Sequence, residues 1–79
     1  MPKISVITVN WNRKRELLSL LSSIQKQSFK DFETIVVDNN SADGSAEAVA
    51  KKFPKARLIR LPKNEGLHAG FNRGAESAK

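Results

Sequence analysis

The chain has 79 residues, a formal net charge of +6 and no cysteine. That length allows one domain at most, with a slim stability margin, because a short chain buries a smaller fraction of its surface than a typical domain. The missing cysteines exclude disulfide staples and thiolate metal sites, and no apolar run approaches the roughly 18 residues a membrane span needs.

Met1-Pro2-Lys3-Ile4-Ser5-Val6-Ile7 is too short and too β-branched for a signal peptide, and a cytoplasmic protein is the expectation. Lys3 to Val9 reads as a first strand, with Ile4, Val6, Ile7 and Val9 as its apolar content. Asn10-Trp11-Asn12 breaks it, with Asn12 placed to cap a helix from Arg13 to Gln27 and Trp11 reading as a packed loop aromatic first and a ligand-stacking ring second. Leu17, Leu18, Leu21 and Ile24 form one stripe on that helix, widened by Leu20, which leaves Arg15, Ser19, Ser22 and Lys26 towards water.

Ser28-Phe29-Lys30-Asp31 returns the chain to a second strand, Phe32 to Val37. That apolar run ends abruptly in Asp38-Asn39-Asn40-Ser41-Ala42-Asp43-Gly44-Ser45, the pattern of a buried strand in a parallel sheet. A second helix spans Ala46 to Phe53, with Asp43 or Ser45 as its cap, Glu47 at its positive end and Pro54 as its stop. Ala56 to Leu61 is a third, shorter strand, and Pro62-Lys63-Asn64-Glu65-Gly66 is a turn. Leu67 to Ala78 then suits a short helix that Gly70 and Gly74 weaken.

The order is β-α-β-α-β-α, an α/β parallel sheet with right-handed crossovers. It brings Asn10-Trp11-Asn12, Asp38-Asn39-Asn40 and Pro62-Lys63-Asn64 to one edge, where open α/β sheets bind ligands. Three strands and three helices make half of a usual doubly wound sheet, so residues 1–79 read as the front portion of a larger domain. Its open apolar sheet edge favours self-association into a homo-oligomer.

The first strand-to-helix turn, Val9 to Arg13, holds no glycine, which excludes the dinucleotide and Walker phosphate loops. The basic residues are scattered, and Arg13-Lys14-Arg15 is their largest cluster. Without an RNP-like motif, a Gly-x-x-Gly loop or zinc-finger spacing, the charge reads as solvated faces, phosphate-directed charge second, and not as a nucleic-acid site. His68, the sole histidine, has no spaced partner for metal or triad chemistry.

Three segments together carry a resemblance. Ile4 to Asn12 with the Leu-rich helix behind it resembles the opening of an inverting family 2 glycosyltransferase of GT-A fold. Ile35-Val36-Val37-Asp38-Asn39-Asn40-Ser41-Ala42-Asp43-Gly44-Ser45 is similar to that family's VVDNxSxDGS signature. Asn64-Glu65-Gly66-Leu67-His68-Ala69-Gly70-Phe71-Asn72-Arg73-Gly74 is similar to its NxGxxxAxNxG segment, in the form of the rhamnosyltransferase-like branch.

The resemblance implies a Rossmann-like nucleotide-binding half that holds a UDP- or dTDP-sugar. Thr8, Val9 and Asn10 would border base and ribose, and Asp38 would accept a hydrogen bond from the base ring N–H. Asn39, Asn40, Ser41 and Asp43 would shape the adjoining loop, Asp43 chiefly as a helix cap. Asn64, Gly66 and Asn72 would approach ribose and diphosphate, with Arg73 or Lys63 adding charge. It also implies a DxD motif on a following strand, holding Mn or Mg in the full-length enzyme, a later catalytic base and a glycan or lipid-linked acceptor. The parent would act in polysaccharide or cell-surface glycan synthesis, with association at the inner membrane face. The 79-residue chain alone is expected to transfer no sugar. Two other classes stay open at this point, a non-catalytic α/β nucleotide-binding or regulatory module and a basic nucleic-acid binder.

Overall fold

A three-stranded parallel sheet carries the fold in a computed structural model of the chain, which describes residues 4–27 and 31–78. The elements run β1 (Ile4–Asn10), α1 (Lys14–Gln25), β2 (Phe32–Asp38), α2 (Ser45–Lys52), β3 (Arg57–Arg60) and α3 (Gly66–Ser77). Lys3, the first residue of the expected first strand, and Ser28-Phe29-Lys30 of the return lie outside the described residues.

The strand order is β1-β2-β3, so β2 is central. Asn10 is level with Asp38, and Asp38 with Arg60, so the three carboxyl ends finish together. Side chains alternate across a strand, and β2 uses both faces. Val36 packs with Leu17, Leu21 and Val49 under α1 and α2. Ile35 and Val37 pack with Leu61, Ile7, Val9 and Ile59 on the other face, beneath α3. Ile35, Val36, Val37 and Val49 are fully buried, and each such side chain stabilises by roughly 1.5–3 kcal/mol relative to exposure. β2 is therefore the energetic centre.

α3 seats itself through its glycines. A Cβ at Gly74 would lie 2.5 Å from Ile7 Cγ2 and 3.1 Å from Val37 Cγ2, and one at Gly70 would lie 2.8 Å from Val9 Cγ1. Each glycine costs about 1 kcal/mol of helix propensity, but here the missing side chains let the helix backbone rest on β1 and β2. The Arg57 guanidinium secures the other end, donating to the Ser77 carbonyl and, at 2.8 Å, to Ser77 Oγ.

Two local expectations change. Leu20 is 44% exposed and adds nothing to the α1 stripe. Asn12 does not cap α1: the N-cap position is Arg13, without a side-chain bond, because Asn12 sits at φ 53° with its side chain turned to the next loop. Among the described residues, no helix is long and apolar enough to cross a membrane.

Candidate functional site

The carboxyl edge of the sheet is built around Asp38. Its side chain is buried, with Oδ1 accepting from Asn10 Nδ2 at 3.0 Å and Oδ2 from the Ser41 N–H at 2.9 Å. Asn10 Nδ2 also donates to Ser41 Oγ at 3.1 Å, and Ser41 Oγ accepts the Asn12 N–H at 2.8 Å. Asn12 Oδ1 accepts the Ala42 N–H at 2.7 Å. The loops after β1 and β2 are thus laced side chain to backbone. Asn12 and Asn40 take left-handed backbone, φ 53° and 63°, which asparagine tolerates better than most residues.

Asp43 joins the two helix starts. Oδ2 accepts the Lys14 N–H at 2.9 Å and Oδ1 the Ser45 N–H at 3.0 Å, with the Ser45 hydroxyl also donating to Oδ1. One carboxylate therefore serves the amino ends of α1 and α2, where N–H groups lack partners and the helix dipole favours negative charge. The Ser45 hydroxyl first, then the Lys14 and Ser45 N–H groups, hold its pKa below the usual 3.8. A depressed folded-state pKa contributes stability above the unfolded value and loses it as pH falls through the folded one. Asp43→Asn should therefore weaken the protein at pH 7 and flatten the decline of its melting temperature below pH 4, a difference thermal scans would show.

Above this network lies a cleft of about 300 Å³ between the Asn10–Trp11 turn and the Asn64–Leu67 turn, lined also by Val9, Arg13 and Asn39. Gly66 begins α3 at φ 88°, a left-handed value that favours glycine, and its N–H donates to Asn64 Oδ1 at 2.8 Å. Trp11 and Leu67 are 52% and 70% exposed at the rim. A larger cavity of about 660 Å³ opens at the opposite edge, among Leu21, Ile24, Phe32 and Phe53. It lies at the amino ends of β2 and β3, away from the edge where parallel sheets bind ligands.

The described sheet, all but Ile4, lies within a family match: residues 5–79 fit the model described as Glycosyl transferase family 2. The chain belongs to glycosyl transferase family 2. It is 49% identical over 72 residues to the GalNAc(5)-diNAcBac-PP-undecaprenol beta-1,3-glucosyltransferase of Campylobacter jejuni, covering 91% of this chain and 23% of that protein. It is 34% identical over 79 residues to the cholesterol galactosyltransferase of Borreliella burgdorferi, covering 98% and 22%. This family 2 chain thus spans about a quarter of such relatives or less.

Solved structures place the family 2 fold in the GT-A class. The mannosyltransferase PcManGT of Pyrobaculum calidifontis, in complex with GDP-Man and Mn2+, superposes with a TM-score of 0.84 at 26% identity, over 99% of this chain and 25% of that one. S. aureus TarS 1-349 gives 0.88 at 31%, over 100% and 25%.

Of the residues expected at the family 2 donor site, Val9, Asn10, Asn64 and Gly66 line the cleft. Asp38 and Ser41 lie in the hydrogen-bonded layer that positions Asn10, and Asn40 is exposed in the loop between them. Thr8 is level with Val36, on the α1 and α2 face. Asn72 is exposed along α3 and does not line the cleft. Trp11, Arg13, Asn39 and Leu67 join the lining, Asn39 having been expected only to shape the adjoining loop; Trp11 is half exposed rather than packed in its loop. Arg73 pairs with Glu65 at 3.4 Å. Among the described residues, no three His, Cys, Asp or Glu side chains are grouped to hold a metal ion. Asp38 and Asp43 spend their oxygens on protein donors, so this segment does not fit a metal centre.

Proposed function

We propose that residues 5–79 form the donor-nucleotide-binding part of a glycosyltransferase that transfers a sugar from a nucleoside diphosphate to an acceptor hydroxyl. The observation that carries this reading is the cleft at the carboxyl edge, flanked by the loop after β1 and the start of α3. Its volume of about 300 Å³ meets the lower end of small-molecule sites, roughly 300–1,000 Å³. Asn10, held by Asp38 and Ser41, presents its loop to base and ribose. The Trp11 ring supplies an apolar face on which a base stacks. Arg13 and the positive end of α3 favour the diphosphate. Asp38 and Ser41 act through Asn10, and Asn64 acts by shaping the turn that begins α3.

UDP and dTDP follow from the resemblance, as does the rhamnosyltransferase-like branch. GDP becomes a third base to test because PcManGT was solved with GDP-Man. The divalent metal would neutralise charge on the departing diphosphate. The residues of this segment supply binding and orientation of the nucleotide.

Trp11 is the single tryptophan, which makes its emission a direct reporter. Titration with UDP, dTDP and GDP should change that emission in a saturable way for at least one nucleotide. An unchanged spectrum with all three, in a chain shown to be folded by circular dichroism, would overturn the donor-site reading.

A further inference from the structure

We propose that Asn39 is a positioning residue for the donor. Its side-chain amide clips the Glu65–Gly66 turn to the end of β2 and so sets the far wall of the cleft, an inference that rests on the donor site proposed above. Asn39 is buried, and its Nδ2 donates to the Gly66 carbonyl at 3.0 Å while its Oδ1 accepts the Glu65 N–H at 3.0 Å. Its own N–H donates to the Asn10 carbonyl at 2.8 Å. One residue therefore touches both walls, the loop after β1 and the turn before α3. α3 backs the amide closely, since a Cβ at Gly70 would stand 3.3 Å from Asn39 Nδ2.

The clip needs one donor and one acceptor on a short side chain, and asparagine supplies both. Aspartate keeps the acceptor for Glu65 but turns an oxygen towards the Gly66 carbonyl, two acceptors without a proton between them. A protonated aspartic acid restores the donor. Asn39→Asp should therefore behave as a pH switch that the parent lacks.

The test compares the full 79-residue chain with Asn39→Asp and Asn39→Ala, each against the parent at the same pH. At pH 7 both variants should bind nucleotide about tenfold more weakly, the scale of a buried polar group left unpaired. Between pH 6 and pH 4, about the range in which a buried Asp protonates, Asn39→Asp should regain the parent's affinity while Asn39→Ala stays weak. Protection of the Glu65 amide from exchange, again relative to the parent, should fall in Asn39→Ala and persist in Asn39→Asp, whose side-chain oxygen still accepts that N–H. Asn39→Asp affinity equal to the parent's at pH 7, or equally weak at both pH values, overturns the positioning role. A parent that binds no nucleotide overturns the donor reading instead, and the amide protection then still decides whether the clip exists.

Discussion

Gly74→Val should lower the unfolding free energy by about 3 kcal/mol, the upper end of what overpacking a filled interior costs. A Cβ there would already stand 2.5 Å from Ile7 Cγ2, and valine adds two methyl groups in the same gap. Helix propensity pulls the other way, because any residue but proline suits a helix interior better than glycine, by up to about 1 kcal/mol. Contact should win, because Ile7 and Val37 are strand residues with packed neighbours and cannot both withdraw. Gly66→Ala is the control: nothing lies within 4 Å of its added Cβ, so only its φ of 88° is charged, roughly 1–2 kcal/mol for a left-handed conformation. Urea unfolding followed by circular dichroism separates the two. A Gly74→Val midpoint equal to the parent's would mean that α3 is not seated on the sheet through this glycine.

Asp38→Ala should cost about 2–4 kcal/mol and weaken nucleotide binding together. The substitution strips acceptors from Asn10 Nδ2 and the Ser41 N–H, two donors at a buried edge, each worth roughly 1–3 kcal/mol when left unpaired. Asp38→Asn keeps an acceptor for one donor and sets an amide N–H against the other, so its loss should be intermediate. The pair of variants also distinguishes two roles for the carboxylate. Stability and affinity should fall in proportion if Asp38 works by holding Asn10 and the Ser41 loop. An Asp38→Asn protein as stable as the parent but unable to bind nucleotide would assign Asp38 a direct bond to the base instead.

The sheet was legible because β2 announces itself twice, in the β-branched run from Ile35 to Val37 and in the polar burst after it. Helix and strand limits fell within a few residues of expectation, and the meeting of Asn10, Asp38 and Asn64 at one edge followed from parallel topology alone. Side-chain direction within that edge did not. Asp38 ends a central strand, so its carboxylate is buried among donors of the flanking loops, and the next residue, Asn39, reaches the cleft. Asn12 looked like a helix cap because local sequence shows the helix start and not the Ala42 N–H that claims its oxygen across 30 residues. Gly70 and Gly74 looked like weaknesses for the same reason: propensity is local, and the close approach of Ile7 and Val9 is not. One signal for Asn39 was present in its place inside the polar burst, but nothing in the spacing marked its partners 26 and 27 positions on.

The most direct test of the donor site is a two-dimensional amide NMR titration of the chain with UDP, dTDP and GDP, each with and without manganese. The amides of Asn10, Trp11, Asn39, Gly66 and Leu67 should shift together for the preferred base, while those around Ile24, Phe32 and Phe53 at the opposite edge stay still. Shifts confined to that opposite edge, or none in a well-dispersed spectrum, would contradict a nucleotide site at the carboxyl ends of the strands.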